Sequence, residues 1–289
     1  MCACRGTAGF AHVSCLAEQA KILIAEAETN NLHETAANEF SRWSKCGLCE
    51  QNYHGVVEHA LGWACWKTYV GRPETNVARK NAMTQLGNGL SAASHHEDAL
   101  SVREAELAVK RRIGVSEHSI LVVQSNLANT YTELGRHEEA LRIKQEVYSG
   151  YVKLFGEQHF DSLMAANNYA ASLTYLKRYG EAKVVFLKIL PVARRVLGEC
   201  HVITLRIRTD YATALCDDDG ATLNDLREAV TTFEDADRIS HRVLGSAHPL
   251  TVDIEGNLQV ARVALRAREG DVDALREALA AIPHPGSSA

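Results

Sequence analysis

Glycine recurs at Gly114, Gly156 and Gly198, two steps of 42 residues, and the residues after each glycine recur with it. A period of this length restricts the chain to an array of small supersecondary units, none of which can enclose an apolar core by itself. Twelve residues beyond each glycine stands an amide or carboxylate (Asn126, Asn168, Asp210), followed by Leu127, Tyr169 or Tyr211 and, four further, by Tyr131, Leu173 or Leu215. Gly245 and Asn257 keep the twelve-residue offset, so the 47-residue step from Gly198 places five extra residues inside the third unit.

Between these markers apolar residues return every three or four positions, the period of a helix with one buried face, and breaks are expected near Gly135, Gly180 and Gly220. Each unit therefore reads as a pair of helices. In the first clear unit Leu127, Ala128, Tyr131 and Leu134 line one face, and a second helix opens at Glu138-Glu139-Ala140-Leu141. Its alanine recurs as Ala182 and Ala229, where a small side chain lets two helices approach, and Phe186 and Phe233 stand four residues later. This small-then-aromatic spacing resembles the second helix of tetratricopeptide repeats. The 42-residue period and the Gly-x-x-His starts (Gly156 to His159, Gly198 to His201, Gly245 to His248) resemble the kinesin-light-chain subtype. A degenerate earlier copy aligns His96-Glu97-Asp98-Ala99-Leu100 with His137 to Leu141 and carries Pro73 in place of the glycine, so the resemblance spans residues 71–268. HEAT and armadillo repeats of similar length lack the small-residue pattern.

The resemblance implies a solenoid whose concave face binds a peptide or protein segment. Inward-facing amides can hydrogen-bond an extended backbone, which makes Asn126, Asn168, Asp210 and Asn257 the candidate peptide-binding ladder; the structural alternative is hydrogen bonding between repeats.

Six of the eight cysteines lie in the first 65 residues. Without a secretory signal, thiols crowded at short spacings point to zinc rather than to disulfides. The spacing is Cys2-x-Cys4, seven residues, His12-x2-Cys15, then thirty residues to Cys46-x2-Cys49. With Trp43 three residues before the last pair and a helical segment over Leu16 to Glu26, residues 1–52 resemble the RING-CH variant of RING fingers. The cross-braced ligand order of that family implies one structural zinc on Cys2, Cys4, Cys46 and Cys49, with His12 and Cys15 as half of a second site. The other half would lie upstream of Cys2, so the resemblance implies a truncated N-terminus. Trp43 is a candidate partner contact or the hydrophobic cap of the finger. Cys65, Cys200 and Cys216 read as core or surface thiols.

Several other chemistries are excluded. A net charge of -5 does not suit a sequence-independent grip on nucleic acid, and Arg194-Arg195 and Arg206/Arg208 read as solvated helix faces. The apolar run from Val56 to Val70 is interrupted by Glu58, His59 and Lys67, so it reads as a buried connecting helix over 53–70 rather than a membrane span, and a soluble, cytoplasmic protein is expected. Gly87-Asn88-Gly89 lacks the third glycine of a dinucleotide loop, and Asp217-Asp218-Asp219-Gly220 has Leu215 and Leu226 where a calcium loop needs acids. His159, His201 and His248 suit helix starts.

The expected architecture is all-α, a tetratricopeptide-type solenoid behind a small zinc-finger-like module, with a C-terminal helix and tail over 269–289. The RING-CH resemblance implies a ubiquitin ligase that docks a ubiquitin-conjugating enzyme and acts by positioning, with no catalytic nucleophile, while the repeats recruit the substrate. The competing reading is a non-enzymatic scaffold with a degenerate finger, which the missing ligand pair favours.

Overall fold

The computed structural model describes residues 12–30, 32 and 38–270. Among them are eleven α-helices, a short 3-10 turn at Phe40–Trp43, and no strand beyond an isolated bridge between Lys45 and Asn52. The chain forms two compact units, Met1–Ile143 and Lys144–Ala289.

Within the first unit, α1 (Val13–Thr29), α2 (Gly55–Tyr69), α3 (Val77–Ala92), α4 (His96–Arg112) and α5 (Glu117–Glu133) pack each against the next. The segment between α1 and α2 is no separate bead. Ala17, Ala20 and Ile24 of α1, then Phe40, Trp43, Cys46 and Tyr53, share one core with Leu61, Cys65 and Tyr69 of α2 and Ala78 and Ala82 of α3. Arg72, just past α2, closes this core with a bidentate pair to Glu28 at 2.7 and 3.0 Å and lies 4.7 Å over the Tyr69 ring.

The expected connecting helix is present as α2, and two glycines explain how closely it lies on α3. A Cβ on Gly62 would stand 2.7 Å from the Gln85 carbonyl oxygen, and one on Gly89 would stand 2.8 Å from that of Glu58. Backbone therefore meets backbone at this crossing.

Within the second unit, α7 (Phe160–Tyr175), α8 (Tyr179–Leu197), α9 (Val202–Cys216), α10 (Leu223–Val243) and α11 (Pro249–Glu269) follow the same neighbour-to-neighbour order. α6 (His137–Phe155) runs through the division between the units. The small residues at the second-helix positions, Ala99, Ala140, Ala182 and Ala229, are all fully buried, as are Phe186 and, to within 1%, Phe233. Burying each aromatic ring contributes about 1.5–3 kcal/mol.

The marker glycines Gly114, Gly156, Gly198 and Gly245 have φ between +68° and +91°, a region that a side chain disfavours. They end the second helix of each pair. The turn inside three of the four pairs is left-handed as well, at Ser94 (φ +61°), Gly135 (+73°) and Lys177 (+59°), whereas the turn between α9 and α10 has no such residue. After each of these residues an amide reaches back to the same marker position: His95 to Leu90 O at 2.9 Å, Arg136 to Tyr131 O at 2.8 Å and Arg178 to Leu173 O at 2.8 Å. This six-to-one bond caps the helix end. The break expected near Gly180 is corrected to Lys177, with Gly180 lying inside α8. A polar side chain without glycine's freedom occupies that turn, which is why the glycine pattern misplaced it.

The repeat-start histidines are helix caps. His159, His201 and His248 precede α7, α9 and α11, and the Nδ1 of each accepts the backbone amide two residues on, at 3.3, 3.2 and 3.1 Å. The acidic run at Asp217–Asp219 is a turn, tied back by Lys183 to Asp218 at 2.7 Å, and Thr222 and Asp225 form a capping box at the start of α10.

Gly89→Ala should destabilise the first unit by about 1–3 kcal/mol by forcing α2 and α3 apart, despite the better helix propensity of alanine, as read from chemical denaturation. In the same measurement His201→Ala should cost about 0.5–2 kcal/mol while His201→Asn, which keeps a capping acceptor, should cost little.

Candidate functional site

The helical register of α4 departs from an apolar stripe in one respect. Its buried face carries Ala99, Leu100 and Leu107, but also Arg103, Glu106 and Lys110, exposed by only 4%, 0% and 9%. Glu106 receives the Lys110 ammonium at 2.8 Å and the Thr84 hydroxyl. Arg103 is held by a fork: Nε donates to Thr130 Oγ1 at 3.0 Å and Nη2 to Asn88 Oδ1 at 3.0 Å. The third nitrogen, Nη1, is buried with no hydrogen-bond partner. Burial pushes the Arg103 pKa down and the nearby Glu106 carboxylate opposes that shift, so the guanidinium remains a cation in a nearly water-free setting.

Arg103 lines an open polar cleft of about 480 Å3. Asn88 and Ser91 of α3 form one wall, Asn126, Asn129 and Thr130 of α5 the other, and Glu58 and Glu133 stand at its margin. His96 also lines it, with a buried Nδ1 that lacks a partner. Burial raises the pKa of Glu58, and His54 pulls it back. The Gly87-Asn88-Gly89 segment, a helical stretch as expected, gains a structural reason: a Cβ on Gly87 would lie 3.4 Å from Arg103 Nη1, Asn88 holds Nη2, and Gly89 admits α2. The chemistry on offer is one unpaired cationic donor beside a row of carboxamides, suited to the carbonyl or carboxylate oxygens of an extended peptide.

The proposed amide ladder is divided by its surroundings. Asn126 is half-buried in the cleft, and its carbonyl receives the Thr130 hydroxyl at 3.1 Å. In the second unit Asn168 is exposed on α7, Asn257 is half-buried on α11, and Asp210 of α9 accepts a 2.7 Å hydrogen bond from Asn167 of α7. The alternative of bonding between repeats therefore describes Asp210, and its partner is the residue before the ladder position. Asp210 also lines a cleft of about 340 Å3 with Thr174, Tyr175 and Tyr179. Burial raises its pKa to about 6, against the hydrogen bond from Asn167 and the charge of Arg206.

The cysteine-rich segment is described in part. Cys2 and Cys4 lie outside the described residues. His12 and Cys15 are exposed, three residues apart at the start of α1. Cys46 to Cys49 form a tight turn in which the Leu48 amide donates to Cys46 Sγ at 3.4 Å and the Glu50 amide to Cys46 O at 3.0 Å, with Glu50 at φ +56°. Trp43 does not form a partner surface: it is 1% exposed and meets the Tyr69 ring edge-on at 6.1 Å, as a hydrophobic cap. Cys65 and Cys216 are thiols whose pKa burial raises, to about 12 for Cys216, while Cys200 is exposed. Arg208, expected on a solvated face, is 3% exposed between Glu199 and Asp235, both at 3.5 Å. Sequence reading missed Arg103 as well, although a charge at a helical-stripe position, three and four residues from Leu100 and Leu107, was the available signal.

A tetratricopeptide-repeat family model matches residues 119–183. No curated protein sequence matches the chain. Among solved structures, the nearly identical TPR-like kinesin-light-chain repeats of Podosopora anserina align at 21% identity and a TM-score of 0.57, over 71% of this chain and 92% of that one. BtubC (BKLC) from P. vanneervenii aligns at 15% identity and a TM-score of 0.55, over 97% of each chain. Residues 119–183 thus carry tetratricopeptide repeats, and the chain shares the fold of these kinesin-light-chain-like structures. No helix among the described residues is long and apolar enough to cross a membrane.

Because the folded pKa of Asp210 is raised above 3.8 to about 6, protonation favours the fold: this contribution is complete below pH 3.8 and is lost as pH rises through about 6. Asp210→Asn, which keeps an acceptor for Asn167, should therefore stabilise the protein at pH 7 by about 1–2 kcal/mol and have little effect at pH 4, as read from denaturation at the two pH values.

Proposed function

We propose that this protein is an interaction adaptor that grips an extended peptide segment in the cleft between α3 and α5 and carries a structural zinc in its cysteine-rich segment. The observation that carries the peptide reading is the polar cleft of about 480 Å3 that the Arg103 guanidinium lines together with Asn126 and Asn129. Asn88 and Thr130 hold the guanidinium in place beforehand, so little side-chain entropy is lost on binding. Asn126 and Asn129 present the donor and acceptor pairs that a peptide backbone requires.

Cys46 and Cys49 suit half of a tetrahedral zinc site, because their turn directs an amide at one sulfur and both residues pack on the core shared with α1 and α2. In the proposed site Cys2 and Cys4 supply the other two thiolates, and the zinc fixes the segment without chemistry of its own. His12 and Cys15 would contribute to a second site.

Leu48, on the same turn, is 69% exposed, and this favours a second reading in which the segment docks a ubiquitin-conjugating enzyme. An apolar side chain held outward by a metal-braced turn is a small anchor for a partner protein. The protein would then act as a RING-CH-type ubiquitin ligase, orienting the thioester of the loaded enzyme while the repeats hold the substrate.

On an array of immobilised acidic and neutral peptides, the intact chain should retain a subset that Asn126→Ala and Arg103→Met both release, roughly tenfold or more in affinity; retention unchanged in both variants would exclude the cleft. Elemental mass spectrometry should find zinc in the purified chain and a loss of it in Cys46→Ser. Leu48→Ala should keep the metal but lose any acceleration of ubiquitin discharge, and no acceleration by the wild-type chain would leave the scaffold reading alone.

A further inference from the structure

We infer that the second unit contains a divalent transition-metal site formed by Asp237 and His241 of α10 and Glu255 of α11. The three ligand atoms lie within 4.8 Å of one another. Asp237 and His241 are one helical turn apart, so both side chains leave the same face of α10 and meet Glu255 across the α10–α11 contact. His241 Nε2 is 2.7 Å from Glu255 Oε1 and 3.4 Å from Asp237 Oδ1.

Charge and hydrogen bonding both fall short in this cluster. Two carboxylates converge on one ring nitrogen, which can offer one proton to one of them. Asp237 Oδ1 is sealed from solvent and has no hydrogen-bond partner. Neighbouring guanidinium groups are engaged elsewhere: Arg238 with Asp235, Arg262 with Glu234 at 2.8 Å, and Arg242 with Cys200 Sγ at 3.7 Å. A divalent cation supplies the missing charge to both carboxylates at once.

The other side of the imidazole is already arranged for ligation. His241 Nδ1 is 3.2 Å from Ser246 Oγ, in the loop that joins the two helices. With Nδ1–H donated to that hydroxyl, the Nε2 lone pair points at the carboxylates, and the hydrogen bond fixes a metal-binding tautomer. One imidazole and two carboxylates suit zinc, cobalt or nickel better than calcium, which takes only oxygen. Binding would displace any proton on His241 into solvent and clamp α10 to α11 through side chains from both.

Titration of the full-length, metal-stripped chain with Co2+ tests this apart from the zinc proposed on Cys46 and Cys49. Thiolate ligation adds an intense near-ultraviolet charge-transfer band that an imidazole–carboxylate site lacks. The wild-type chain should bind one Co2+ equivalent more than His241→Ala and than Glu255→Gln, and that equivalent should leave the thiolate band unchanged. Ser246→Ala should keep the stoichiometry and weaken the affinity about tenfold. Equal stoichiometry in wild type and both ligand variants would overturn the site, whatever the thiolate band shows; loss of that band in Cys46→Ser bears only on the cysteine-rich segment.

Discussion

The helix array depends on chain reversals, most of which pass through a residue held at positive φ. A helix with one apolar face cannot stay in water alone, and its partner must be the next helix, delivered by a turn short enough to keep both faces in register. Ser94, Gly135 and Lys177 perform that reversal within pairs, and Gly114, Gly156, Gly198 and Gly245 perform it between them. The bond back to Leu90, Tyr131 or Leu173 fixes the exit direction, and the fully buried alanines Ala99, Ala140, Ala182 and Ala229 set how closely the helices approach.

Departures from the apolar pattern are where chemistry collects. The α4 stripe gives up three core positions to Arg103, Glu106 and Lys110, which need internal partners because charges do not enter a core unpaired. Thr84, Asn88 and Thr130 supply those partners. One guanidinium nitrogen is left without a partner, against Gly87 of α3, while the residue itself lines a cleft walled by carboxamides. In the second unit Asp210, at the repeat position of Asn126, is closed by Asn167 and shifted toward its neutral form.

The cysteine-rich segment shows a different economy. Its aromatic residues Phe40, Trp43 and Tyr53 are turned inward onto α1 and α2, and Arg72 pairs with Glu28 at the edge of the same core. The segment thus takes its apolar packing from the repeat scaffold, with Cys46 in that core and Gly47 and Leu48 exposed.

Much of the fold was legible in advance because it rests on short-range rules. Glycine spacing marked the turns between pairs, the Gly-x-x-His starts marked the caps, and the alanine-to-phenylalanine interval marked the second helices; each depends on backbone conformation or helical geometry within a few residues. Lys177 escaped because a non-glycine residue can be held left-handed by the surrounding bonds, and Trp43 and Arg208 escaped because burial is decided by elements distant in the chain. The cleft was half legible: Asn126 recurs with the period, whereas Arg103 acquires meaning only beside Asn88 and Thr130, fifteen and twenty-seven residues away. By itself, then, the sequence determined that the chain would build paired helices at a 42-residue period, since that is written in local periodicity. Only the tertiary structure decided which polar side chains lost their water and which of those were left without a partner, because desolvation is a property of what packs around an atom.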